Sequence, residues 1–184
     1  VIDAVIFALW FFLPAGLANG SPVVVNKIPV LNQFKTPLDF GKTYRGKRIF
    51  GQNKTWRGLL GGTITATITV LLQVWLYNNS TWIQDNITMV DYRNVSLWLG
   101  PLLGAGALLG DAIESFFKRQ FNVASGEPWF PFDQIDYIIG GILFSSLVVT
   151  LPGYMNVSIL LVWFGMHLLW SYIGFLLGLK DKPI

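Results

Sequence analysis

The stretch Leu97-Trp98-Leu99-Gly100-Pro101-Leu102-Leu103-Gly104-Ala105-Gly106-Ala107-Leu108-Leu109 runs directly into Gly110-Asp111-Ala112-Ile113-Glu114-Ser115-Phe116-Phe117-Lys118-Arg119. The first part carries no charge and reads as a membrane helix. The second puts acids and bases at its end. Charge at such depth is expensive and marks a functional site or pathway. If the helix continues, Asp111, Glu114, Ser115 and Lys118 stand at i, i+3, i+4 and i+7, which is one helical face. Phe116 and Phe117 turn elsewhere. Asp133 and Asp136 follow one short loop later, again at i, i+3, where the next apolar run begins. Four carboxylates converging where membrane meets water predict a divalent-metal site.

The rest of the chain is built in the same way. Of its 184 residues 53% are apolar and 12% charged, whereas soluble domains carry about 25% charged residues. The mean hydropathy is +0.52. Long apolar runs predict five helices, roughly 1–17, 58–77, 95–118, 135–151 and 157–179, each able to span or nearly span a core that takes about 20 residues. The expected class is an all-α integral membrane protein, one membrane domain over 1–184, with polar loops at roughly 20–57 and 119–134. Cysteine is absent, which excludes disulfides and thiolate metal sites. Nothing points to nucleic acid as a partner. Gly58/Gly62, Gly100/Gly104, Gly106/Gly110 and Gly174/Gly178 are small-xxx-small pairs, which serve internal packing or a homo-oligomer equally well. His167, alone in the last run, reads as a packing residue.

Topology follows from the cations. The loop 20–57 holds Lys27, Lys35, Lys42, Arg45, Lys47, Arg48, Lys54 and Arg57 against one acid, Asp39. The loop 78–94 has one cation, Arg93; Lys118 and Arg119 open the third connection, and Lys180 and Lys182 close the chain. By the positive-inside rule, loops one and three and the C-terminus are cytoplasmic and the N-terminus is outside. All candidate site residues then share one side. The first run lacks a basic segment and carries Asp3, so it reads as a membrane helix rather than a cleaved signal, despite the small residues of Ala15-Gly16-Leu17-Ala18.

Glycine and hydrogen-bond donors are interleaved with the cations in Gly41-Lys42-Thr43-Tyr44-Arg45-Gly46-Lys47-Arg48 and Gly51-Gln52-Asn53-Lys54-Thr55-Trp56-Arg57-Gly58. Glycine lets backbone approach phosphate, and Lys and Arg supply charge and a bidentate fork. A polybasic segment lying on anionic headgroups is the simpler alternative, worth about 1 kcal/mol per cation. Gly41-Lys42-Thr43 is no P-loop: Thr36 stands where the motif needs its first glycine, and no βαβ unit is evident.

Together, Gly-Asp-x-x-Glu-Ser-x-x-Lys-Arg at 110–119 and Asp-x-x-Asp at Asp133 and Asp136 resemble the signature of the CTP:phosphatidate cytidylyltransferases. Ala124-Ser125 in place of Lys-Asp, the missing His-Gly-Gly element and the shorter segment before Asp133 depart from the bacterial and eukaryotic pattern. They are similar instead to the archaeal branch, the CDP-archaeol synthases, whose pattern also resembles Lys42 to Gly58. The resemblance implies transfer of CMP from CTP to an isoprenoid ether-lipid phosphate, unsaturated archaetidic acid, with release of pyrophosphate. It implies Mg²⁺ held by Asp111, Glu114, Asp133 and Asp136, and catalysis by Asp111, Asp133, Lys118 and Arg119. Asn53, Lys54, Thr55, Arg57 and Ser115 would bind the nucleotide, and Lys42, Arg45, Lys47 and Arg48 the lipid phosphate.

Three alternatives stay open at this point. Phosphatidic acid could replace the ether lipid as substrate. A CDP-alcohol phosphotransferase uses aspartates and metal in a similar setting, but its Asp-Gly-x-x-Ala-Arg motif is absent. A cation transporter needs polar residues across the whole bilayer, whereas the outer halves of these helices are nearly all apolar. The topology is testable on its own. A cysteine near Lys42 is expected to react with an impermeant reagent only from the cytoplasm, and one near Gln84 only from outside; the reverse pattern overturns the orientation.

Overall fold

The computed structural model describes residues 2–25, 28 and 31–178. Helix α1 covers Ile2–Val25, followed by a short 3-10 turn at Leu31–Gln33 and a small hairpin of β1 (Thr43–Tyr44) and β2 (Lys47–Arg48). Then come α2 (Trp56–Asn79), the short α3 (Thr81–Asn86), α4 (Leu99–Gln120), α5 (Phe132–Ser145) and α6 (Gly153–Leu176). Residue 1, Lys27, Lys180, Lys182 and the expected helix end at 179 lie outside the described residues.

The boundaries depart from the sequence reading where tertiary packing outweighs local signals. Helix α1 runs eight residues past 17, through Pro22, because its last turns pack on α2. A Cβ at Gly61 would stand 2.8 Å from Val25, and one at Gly62 2.9 Å from the Ala18 carbonyl oxygen. At 14 residues, α5 is the shortest of the long helices and rises only about 21 Å. Among the described residues, three helices are long and apolar enough to cross a membrane: Ile2–Val23 within α1, α2 and α6.

Helix α4 is the centre of the bundle, touching α1, α2 and α5. It presents a glycine edge to each of two partners. Toward α2, a Cβ on Gly100 would lie 2.7 Å from Thr67 Cα, and one on Gly104 2.8 Å from Thr63 Cα. Toward α5, a Cβ on Gly106 would lie 2.6 Å from the Gly140 carbonyl oxygen, and Gly110 abuts the Asp136 carbonyl. A Cβ on Gly178 would meet nothing within 4 Å, and at positive φ this residue forms a turn, its N–H donating to the Phe175 carbonyl at 3.0 Å.

On the far side of α1, Phe12 packs on Tyr137 and Trp163, with centroids 6.2 and 5.7 Å apart. Trp163 Nε1 donates to the Ala8 carbonyl at 2.9 Å. Each α2 hydroxyl at Thr63, Thr65, Thr67 and Thr69 donates to the carbonyl four residues back. These four hydroxyls then require no water.

Gly106→Ala and Gly140→Ala are each expected to destabilise the protein in detergent by about 1–3 kcal/mol, since backbone cannot yield as a side chain can. Gly165→Ala, with nothing within 4 Å, should instead stabilise by up to about 1 kcal/mol. Thermal unfolding of the three variants reads the contrast, and equal shifts would overturn it.

Candidate active site

The first connection folds around one buried carboxylate. Asp39 accepts from Arg48 Nε at 3.2 Å and Nη2 at 2.6 Å, and from the backbone N–H groups of Gly41, Phe50 and Gly51 at 3.0–3.1 Å. Arg45 and Gly46, both at positive φ, turn the hairpin, the backbone that a tight two-residue turn demands. Lys47 Nζ donates to the Gln120 carbonyl at 2.8 Å, docking the hairpin on the C-terminus of α4, where the helix dipole favours a cation. Leu38 N donates to the Lys54 carbonyl at 2.8 Å and Trp56 N to the Thr36 carbonyl at 3.0 Å. Lys54 is thereby pinned at the mouth of the bundle, one residue before the Thr55 cap of α2.

A cavity of about 640 Å³ lies between this connection and the charged ends of α4 and α5. Asp111, Glu114, Ser115, Lys118, Arg119, Asp133 and Asp136 line it, together with Asn53 and Lys54. Lys54 Nζ holds both oxygens of Asp111 at 2.6 Å. Lys118 Nζ lies 2.6 Å from Asp133 Oδ1 and 3.6 Å from Glu114 Oε1. Asp133 Oδ2 also accepts the Trp129 N–H at 2.7 Å. Asn53 Nδ2 reaches Ser125 Oγ at 3.4 Å, joining the two polar connections.

The four carboxylates are not equivalent. One oxygen each from Asp111, Glu114 and Asp136 lies within 4.8 Å of the others; Asp133 stands outside that group, held by Lys118 and a backbone N–H. The three offer hard oxygen donors, the ligand type of Mg²⁺, whose opposed ligands lie about 4.2 Å apart. Glu114 Oε1 is buried with no hydrogen bond and only the Lys118 ammonium at 3.6 Å, so it keeps capacity for a metal ion. The residues present fit a divalent metal. Arg119 Nε and Gln134 Oε1 are also buried without a hydrogen-bond partner.

Other expected site residues fall elsewhere. Arg57 is buried and donates to the Leu31 carbonyl at 2.6 Å, and it does not line the cavity. Thr55 uses its hydroxyl oxygen to accept from Gly58 N at 3.1 Å. Lys42, Arg45, Lys47 and Arg48 also stand off the cavity, with Arg45 lying over the Tyr44 ring at 5.3 Å. Conversely, Asn19, Gln134, His167 and Ser171 line it and were not among the expected residues. The available signal was weak: a polar side chain in an apolar run, and for His167 and Ser171 the i, i+4 spacing of one helical face.

Carboxylates, lysines and an arginine gathered at one end of an apolar bundle suit a membrane enzyme that handles phosphates. The chain belongs to the CDP-archaeol synthase family: the CarS-like family model, described as CDP-archaeol synthase, matches residues 1–184. A CDP-archaeol synthase of Pyrococcus furiosus is 40% identical over 148 residues, 79% of this chain and 77% of that protein. Those of Thermococcus onnurineus and Methanocaldococcus jannaschii are each 34% identical, covering 99% and 95% of this chain and 98% and 94% of theirs. A solved intramembrane enzyme of archaeal membrane lipid biosynthesis superposes with a TM-score of 0.68 at 26% identity, covering 89% of this chain and 92% of that one. The protein is accordingly a membrane enzyme, a CTP-dependent lipid cytidylyltransferase.

Burial alone would raise the pKa of Asp39, but Arg48 and the three backbone donors outweigh it and hold the carboxyl well below the usual range. Because the folded value is the lower one, the stabilisation is complete above the ordinary carboxylate pKa of about 3.9 and fades only as pH falls toward the folded value. Hydrogen exchange over residues 39–51 should therefore stay slow down to about pH 4 in the native protein. Asp39→Asn should be fast already at pH 7, and equal protection in both would overturn the role of Asp39.

Proposed function

We propose that the chain crosses the membrane five times, opens its site to the cytoplasm, and transfers CMP from CTP to unsaturated archaetidic acid with Mg²⁺. The observation that carries this reading is the convergence of Asp111, Glu114 and Asp136 with Lys54, Lys118 and Arg119 in one cavity. Helix α5 is short of a full span, but the apolar segment 146–152 extends it. The N–H groups of residues 146–149 donate to carbonyls of α5 in that extension, as an apolar surround requires. The cation-rich connections lie at the site's end of the bundle, which supports cytoplasmic exposure.

The chemistry asks little of the protein beyond position and charge. An ionised oxygen of the lipid phosphate attacks the α-phosphorus of CTP; the new P–O bond forms as the bond to the β-phosphate bridging oxygen breaks, and pyrophosphate leaves. No proton has to move, so no general base is needed. Catalysis reduces to aligning two anions and neutralising them. Asp111, Glu114 and Asp136 would hold Mg²⁺, which when bound supplies charge neutralisation at the phosphates. Lys118, fixed by Asp133, and Arg119 present positive charge to the phosphates, while Asn53 and Ser115 contact the nucleotide. The hairpin cations Lys42 and Arg45 lie outside the cavity and serve attraction to anionic headgroups.

Purified protein with labelled CTP and Mg²⁺ should release pyrophosphate with unsaturated archaetidic acid and not with phosphatidic acid. Turnover only with phosphatidic acid would make it an ester-lipid enzyme, and none with either would overturn the reading. Asp111→Asn should abolish turnover in a folded protein. Arg119→Gln should lower kcat/KM for CTP about 10- to 100-fold, the loss of one charge-assisted contact, while Arg45→Ala should change it far less.

A further inference from the structure

The ammonium of Lys54 sits on a carboxylate that the proposed metal would share. Lys54 Nζ sits 2.6 Å from both Asp111 oxygens, so it bridges the carboxylate symmetrically. Asp111 is also one of the three residues whose oxygens group within 4.8 Å. A divalent ion on that carboxylate binds at about 2.0–2.1 Å. An ammonium on the same two oxygens takes up part of their lone-pair capacity and repels a divalent ion. The pair and the metal therefore compete for Asp111.

Lys54 also has somewhere else to go. Its backbone is pinned, through its carbonyl to Leu38 N, but its side chain is a flexible four-carbon stem with rotatable donors. The side chain is 23% exposed and lines both the main cavity and a smaller one of about 230 Å³ beside it. Nucleotide phosphates in the main cavity would offer that ammonium stronger anionic acceptors than a shared carboxylate. The second lysine is placed differently: Lys118 pairs at 2.6 Å with Asp133, the acid outside the group of three.

We infer that Lys54 is an exchangeable internal counter-ion, which competes with metal for Asp111 until nucleotide phosphate draws the ammonium away. The inference rests on the proposed metal centre and goes beyond it. The metal alone should bind weakly, and metal and nucleotide should bind together, each raising the other's affinity by the same factor.

The test uses Mn²⁺ as a spectroscopic probe, titrated by electron paramagnetic resonance into detergent-solubilised protein without nucleotide or lipid. Lys54→Met and Lys54→Gln, each checked for folding by its thermal transition, should bind Mn²⁺ more tightly than the native protein. The expected gain is about 5- to 150-fold, the usual range of such couplings. Lys54→Arg, which keeps the cation, should stay near the native value. Adding Asp111→Asn to Lys54→Met should erase the gain. Mn²⁺ binding that is lost in Asp111→Asn but not tightened in either neutral variant overturns the inference and leaves the metal centre standing. Mn²⁺ binding that Asp111→Asn leaves unchanged overturns both.

Discussion

Direct backbone contact between α4 and α5 is the constraint on which the rest of the molecule depends. In lipid there is no hydrophobic force to press two helices together, so van der Waals contact must do so, and small residues permit it. Gly106 and Gly110 on α4 meet Gly140 and the Asp136 carbonyl on α5 with no room for a methyl group. The seam leads straight into the site, since Asp111 follows Gly110. Asp111 and Glu114 come from one helix and Asp136 from the other, and the glycines set the distance between them. A wider seam would separate the carboxylates.

Gathering acids costs free energy unless cations accompany them. The bundle supplies Lys118 and Arg119 from α4 itself. Lys54 comes from the long first connection, which thereby lines the cavity. Its path depends on Asp39, whose carboxylate is satisfied from five directions, and on Lys47 at the end of α4. A reaction between two phosphates is served by such an arrangement: its nucleophile is already ionised, and the protein's task is alignment and charge compensation.

At the opposite end the bundle is closed by aromatic packing. Tyr92, fully buried, lies 6.1 Å from the Trp10 ring and 5.7 Å from the Tyr77 ring. Gln73 donates across to the Trp10 carbonyl at 2.6 Å. The charged groups around the cavity are confined to one end, which suits a reaction between a soluble nucleotide and a lipid headgroup better than it suits an ion path.

Sequence alone determined the class of molecule and where its charged groups gather. Apolar runs of membrane length are a property of composition. The spacing of Asp111, Glu114, Ser115 and Lys118 puts them on one helical face whatever the fold around them. Only the tertiary structure decided which groups lie together. It gave Asp133 to Lys118 and the Trp129 N–H while grouping one oxygen each of Asp111, Glu114 and Asp136. It turned Arg48 and Arg57 into anchors of the first connection, and it brought Asn19, His167 and Ser171 to the cavity from helices far apart in the chain. Periodicity reports which way a side chain faces on its own helix. The distance to a group on another helix depends on how closely the backbones approach and on the path of a loop, and neither is written in a local pattern.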